Sequence, residues 1–247
     1  EFIATLDALK AAGYETPVIA GLADGFESLH YLGTMNQRMI DPETLAKDYD
    51  AATGEFTDPG YTEVLEKWQQ LTSYMGEMST AIDHETARNT YFATGEAPIM
   101  YMQFAEIPML EKSIPDDFEY GFFNFPAFED GKGDPEGFMI SNKAKNPEEC
   151  QKFLKWLVSK KGGEYLTTKC GDISSVAGAV DETNALPAQL EAMDIIQGAS
   201  KLTPWFDNAC DPAVYTVYGQ MAQAIATGDE TPESAMEQVR EAAASLH

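Results

Sequence analysis

AIDHETARNTYFATGEAPIMYMQFAE, from Ala81 to Glu106, decides how this chain is read. It begins with a helical segment, turns at Gly95 and enters a short apolar run, Ala97 to Met102, whose far end carries aromatic and polar side chains. A helix, a glycine turn and a buried strand in that order set a polar and aromatic tip at the end of a sheet, where ligand contacts are made.

The same grammar extends outward from this stretch. Upstream, Phe2, Leu6 and Leu9 form a helical stripe that ends at Gly13. Pro17 to Gly21 then reads as a buried strand, followed by a loop holding Asp24, Gly25 and Phe26. Asp58-Pro59 predicts an N-cap with proline at the first helical position. Tyr61, Val64, Leu65, Trp68, Leu71 and Met75 follow at helical spacing, which makes Trp68 a core residue. Downstream, strands are expected at Tyr120 to Pro126 and Gly137 to Ser141. A helix is expected from Asn146-Pro147 through Leu157, stopping at Lys160, Lys161, Gly162 and Gly163, with its charges matched to the macrodipole. Asp211-Pro212 and Thr231-Pro232 open the last two helices. Helices and strands in alternation predict an α/β layered fold.

Composition bounds the function. The 247 residues are 44% hydrophobic, enough for a full core in one large or two smaller domains. No apolar run is long enough to span a membrane, and no basic-then-apolar leader opens the chain. With 41 acidic against 16 basic residues the net charge is −25, spread along the chain, which argues against nucleic acid and other polyanions as partners.

Cysteines are odd in number: Cys150, Cys170 and Cys210. Cys150 sits beside the helical stripe of Phe153, Leu154 and Leu157 and reads as a small core residue. Cys170 and Cys210 flank turn signals, where a bridge would close a loop of about 40 residues and stabilise by roughly 3–4 kcal/mol. The alternative is three reduced thiols.

Chemistry-bearing motifs are mostly missing. His84-Glu85 starts like a zinc-protease helix, but Arg88 stands where the second histidine belongs. Asp48, Asp50 and Glu55 surround Gly54 without the spacing of a calcium loop. No nucleophile elbow, phosphate-cradling loop or dinucleotide glycine pattern occurs, and three histidines without a C-x-x-C pair argue against a catalytic metal or a cofactor.

The order of the segments resembles the substrate-binding proteins of ABC sugar importers, the maltodextrin-binding type of extracellular solute-binding proteins. EFIATLDALKAAGYETPVIAG is similar to the helix and strand that start that family's second lobe, and FTDPGYTEVLEKWQQL to its next helix. YFATGEAPIMYMQFAEI is similar to the signature F-x-x-G-x-A-A-M-x-x-x-G-x-W, with Phe104 in place of a glycine and Glu106 where a tryptophan is frequent. FEYGFFNFPAF and the segment from GFMISNKAKNPEEC to SSVAGAV follow in family order.

The resemblance implies a periplasmic-binding-protein-like type II fold, mostly its second lobe. Residues 1–175 and 201–247 would form that lobe and 176–200 would return to the first, with most of the first lobe absent and 176–200 left mobile or prone to self-association. It implies capture rather than catalysis: a sugar or oligosaccharide held in an interlobe cleft and handed to membrane permease subunits. The location implied is the outer face of the cytoplasmic membrane or a periplasm, with any lipid anchor on an N-terminal part outside this chain. The site residues it implies are Asp24, Phe26, Phe104, Glu106, Trp205, Asp207 and Tyr215. Aromatic faces pack on pyranose C–H groups and carboxylates accept hydroxyl protons. For each aromatic the alternative is core packing, and for each acid a surface or capping role. A cationic, amine or peptide ligand is the rival within the same fold, favoured if Asp24, Glu106 and Asp207 converge. A carboxylate-dependent carbohydrate-active enzyme is the rival outside it.

Overall fold

The computed structural model describes residues 1–123, 131–132, 140–141, 143–198 and 202–247. Helices dominate: α1 (Phe2–Ala11), α2 (Phe26–Met39), α3 (Pro42–Tyr49) and α4 (Gly60–Thr72), with strand β1 (Val18–Ile19) between the first two. α5 (His84–Thr86) runs on as a wide π-helical turn, Ala87–Phe92, into β2 (Ile99–Met100), and α6 (Ile107–Leu110) follows the turn Phe104–Glu106. The remainder is β3 (Gly131–Lys132), α7 (Pro147–Leu157), α8 (Lys160–Tyr165), α9 (Pro187–Gly198), β4 (Leu202–Thr203), α10 (Phe206–Ala209), α11 (Pro212–Thr227) and α12 (Pro232–Ala244). Among the described residues no helix is long and apolar enough to cross a membrane.

Strands are shorter than the sequence predicts. The runs at 17–21 and 97–102 each contribute two residues, paired parallel with Val18 opposite Ile99 and Ile19 opposite Met100. β3 and β4 form a second parallel pair. The strands expected at 120–126 and 137–141 lie partly outside the described residues, and their described portions are not strand.

The main core joins chain segments that are far apart. Trp68, Tyr31, Tyr61 and Tyr218 are fully or almost fully buried where α2, α4, α11 and α12 meet. Trp68 donates its indole N–H to the Ala222 carbonyl of α11 at 2.8 Å, and Tyr218 donates to Asn36 Oδ1 at 3.1 Å. The caps behave as their chemistry requires: Asp211 Oδ1 accepts from Ala213 N and Thr231 Oγ1 from Ser234 N. Asp58 Oδ1 accepts from Gly60 N, and the helix begins at Gly60, one residue later than expected.

Three expectations need correction. The Lys160–Gly163 segment does not end a helix: α7 closes at Leu157, and Lys160 starts α8, whose N-cap Ser159 accepts from Gly162 N at 3.2 Å. Cys150 is half-buried and Phe153 is 54% exposed, so the apolar face of α7 is open rather than a core face. No Cys170–Cys210 bridge exists, and all three thiols are free. Cys210 is buried in the main core at the end of α10, where burial pushes its thiol up to about 12. Cys170 is exposed, next to a Gly171 packed against Pro108.

Candidate functional site

Parallel pairing of β1 and β2 brings the loop after β1, residues 20–25, alongside the turn after β2, residues 101–106. This is the carboxyl end of the strands, where layered α/β folds place ligands. Gly21 is required for the approach: a Cβ there would fall 2.2 Å from the backbone nitrogen of His84. Gly25 takes φ +75° to start α2, and Asp24 Oδ1 accepts from Phe26 N at 3.1 Å. Asp24 is thus an exposed turn-forming acid at the mouth of this loop.

An aromatic face rises above it. Phe26 is 39% exposed and lies on His30, one turn along α2, with ring centroids 4.2 Å apart. Trp205, half-buried at the start of α10, stacks on the same imidazole at 4.5 Å and 29°. Tyr101 meets His30 edge-on, and Gln103 Nε2 donates to His30 Nδ1 at 3.2 Å. Buried His30 therefore holds Phe26 and Trp205 in one array.

Beneath the array lies a buried charge network. His84 Nδ1 donates to Glu27 Oε2 at 3.0 Å and His84 Nε2 to Glu106 Oε2 at 2.6 Å. Arg88 Nη1 donates to the same Glu106 oxygen at 2.5 Å, and Gly21 N to Glu27 Oε2 at 2.5 Å. The four side chains hold two positive and two negative charges when all are ionised. Burial works against the charged imidazole, but hydrogen bonds to Glu106 and Glu27 outweigh it and raise His84 to about 10. Burial alone would raise Glu106 too, yet His84 and Arg88 bring it below the usual carboxylate range. For Glu27 burial wins, and its pKa is raised despite His84 and Gly21.

The expected residues separate into groups. Phe26 and Trp205 are brought together, with Asp24 beside Phe26 and half-buried Asp207 in the first turn after Trp205. Glu106 is only 8% exposed, and its carboxylate is taken by His84, Arg88 and the Gln103 N–H. Phe104 sits in the same turn, half-buried and edge-on to Phe122. Tyr215 packs against the main core instead. His30, His84, Glu27, Arg88 and Gln103 were not expected here. Their one local signal is i,i+4 spacing, Phe26 to His30 and His84 to Arg88, which sets each pair on one helical face. Arg88, which spoils the zinc motif, meets a carboxylate in common with His84. Among the described residues no group of three or more His, Cys, Asp or Glu is placed to hold a metal ion.

Solved structures share this fold. A chitin oligosaccharide binding protein superposes with TM-score 0.85 at 19% identity, over 99% of this chain and 63% of its own. The bacterial solute receptor AcbH, described as preferring β-D-galactopyranose, gives 0.79 at 19% identity, over 99% of this chain and 64% of its own. A structure from work on xylan utilization by Caldanaerobius polysaccharolyticus gives 0.77 at 18% identity, over 96% of this chain and 63% of its own. The chain thus spans somewhat under two thirds of these neighbours and has the periplasmic-binding-protein-like fold of solute receptors. No curated protein sequence matches it significantly. Residues 1–164 match the model of the bacterial extracellular solute-binding proteins, and the chain belongs to that family.

Proposed function

We propose that the protein is the extracellular substrate-binding component of an ABC importer, capturing a neutral sugar or oligosaccharide and handing it to a membrane permease. The observation that carries this reading is the Phe26–His30–Trp205 array, an aromatic face at the carboxyl ends of β1 and β2 with Asp24 and Asp207 next to it. Aromatic rings suit the C–H faces of a pyranose, and the acids suit its hydroxyls. The rival amine reading needs three converging acids, and Glu106 is already neutralised by His84 and Arg88. The chitin-oligosaccharide and galactose specificities of the neighbours add support for a saccharide. Membership of a family of solute-binding proteins supports the reading of a binder at an extracellular or periplasmic location.

Thermal shift against chitotriose, xylotriose, D-galactose and spermidine tests the ligand class. One saccharide is expected to raise the unfolding midpoint, by about 2.7 kcal/mol of stabilisation at a hundredfold excess over Kd. Trp205→Ala should weaken that saccharide at least about tenfold, roughly 1.4 kcal/mol. A response to spermidine alone would sink the sugar reading.

We also propose that the segment returning to the first lobe begins before α7, earlier than residue 176. No described residue between 140 and 198 joins the main core. Phe153 and Trp156 on α7, Val158 just after it and Tyr165 on α8 are exposed, with Phe153–Trp156 centroids 5.9 Å apart and Trp156–Tyr165 5.5 Å. Such a continuous apolar face is an interface, here for polypeptide matching the part of the neighbours this chain does not span. Sedimentation velocity should show the chain self-associating and the Phe153→Lys, Trp156→Lys double variant monomeric. A monomeric wild type would remove the support.

A further inference from the structure

We infer that His84 is the positioning group of the aromatic face: as an imidazolium clamped between Glu27 and Glu106, it locks three separate chain segments together and fixes Phe26. This rests on reading Phe26 and Trp205 as the binding face.

With both carboxyls ionised, the geometry calls for the charged ring. Each imidazole nitrogen faces a carboxylate oxygen, Nδ1 at 3.0 Å and Nε2 at 2.6 Å. A neutral imidazole has one N–H and one bare lone pair, so one of these contacts would set a lone pair against an anion. With both nitrogens protonated, each contact becomes a charge-assisted hydrogen bond.

The clamp spans the whole site. Glu27 lies in the first turn of α2 and also accepts from Gly21 N in the loop after β1. Glu106 ends the turn after β2, where Arg88 holds it as well. His84 adds a direct contact, its ring edge-on to Phe26 at 5.8 Å and 74°. Glu27 Oε1 is buried with no hydrogen-bond partner among the described residues, so the bond from His84 is the main side-chain restraint on that carboxylate. If the ring loses its Nδ1 proton, Glu27 keeps the Gly21 amide and little else, and the start of α2 that carries Phe26 is freed.

Other ionisable groups surround the clamp. From α2 these are Tyr31 and His30; from the segment of His84 itself, Asp83 and Arg88; from the strand end, Tyr101. Arg88 stays charged throughout, and burial raises Tyr31 and Tyr101 beyond the range in which His84 titrates. Glu27, raised by burial, is coupled to His84, so the proton that controls the face between neutral and alkaline pH belongs to the clamp and is read at the His84 ring, whose value of about 10 agrees with the geometry.

The test is an NMR titration of the full chain from pH 5 to 11, following the imidazoles of His30, His84 and His247, the Gly21 amide and the Phe26 ring. His84 should stay doubly protonated through neutral pH and titrate near 10, with Gly21 and Phe26 moving at the same midpoint. Titration of His84 near the ordinary 6.5, or Phe26 and Gly21 signals that do not follow it, would overturn the inference. This arm needs no ligand, so it stands apart from the sugar reading. In the second arm, His84→Gln should weaken chitotriose, or whichever tested saccharide binds wild type, by about tenfold well below the unfolding temperature, and abolish the alkaline loss of affinity. A variant with lowered melting temperature but unchanged Kd and unchanged pH profile would show a merely structural role and overturn it too.

Discussion

Glu106→Ala is expected to lower the unfolding free energy by about 3–5 kcal/mol, because it leaves buried cations without their partner. Glu106 Oε2 accepts from both His84 and Arg88, and the Arg88 side chain is 6% exposed. After the substitution His84 can lose its proton, but the guanidinium cannot. Most of the cost therefore comes from Arg88, and Glu106→Ala combined with Arg88→Ala should cost less than the two single changes summed. Urea unfolding reads this as a lower midpoint at constant slope. The pH dependence has a definite sign. Glu106 has a depressed pKa, so its contribution is present above the ordinary 4.5 and lost as pH falls through its folded value. His84 has a raised pKa, so its contribution is full below 6.5 and lost as pH rises through about 10. Glu27, also raised, carries the His84 sign. The gap between wild type and Glu106→Ala should thus be widest between about 4.5 and 6.5 and narrow on both sides. A gap that is flat from pH 3 to pH 10 would rule out this account of the network.

What could be read from the chain divides along the same physical line as what could not. Trp68 and its helical companions announce themselves by spacing, because burial on one face of a long helix leaves a periodic trace. Asp211-Pro212 and Thr231-Pro232 mark helix starts because capping is local chemistry. Lys160 to Gly163 misleads for the same reason: cations and glycines look like a helix end, but Ser159 supplies an N-cap that starts a new helix at Lys160. The strands at 18–19 and 99–100 are visible as apolar runs, though not their brevity, which depends on what pairs with them. Phe26 and Trp205 are recognisable as candidates through the resemblance to the solute-binding family. The array that holds them is not, since His30 meets Trp205 only through the tertiary fold. The network is the least legible part. His84 lies 57 residues from Glu27 and 22 from Glu106, and nothing in local pattern reports a pairing across such separations. Glu106 therefore looks like a ligand acid in the sequence, whereas in the folded chain it answers to His84 and Arg88.

Trp68→Ala should cost about 3–5 kcal/mol, in the same range as Glu106→Ala but by a different mechanism. The indole is fully buried, lies 5.4 Å from the Tyr31 ring and ties α4 to α11 through the Ala222 carbonyl, 154 residues away. Removing it opens a cavity between helices that the backbone cannot close without parting α2, α4 and α11. Trp68→Phe refills most of the volume and loses the hydrogen bond, so about 1–2 kcal/mol should remain. Neither substitution touches an ionisable group of the network, and the loss should be constant from pH 5 to pH 9, in contrast to that of Glu106→Ala. The His84 titration should likewise keep its midpoint in Trp68→Phe. If that midpoint fell toward 6.5 in Trp68→Phe, the imidazolium would depend on core packing as a whole rather than on its two carboxylates. Tyr31, which touches Trp68 and lies within electrostatic reach of Glu27, would then be the route of that dependence.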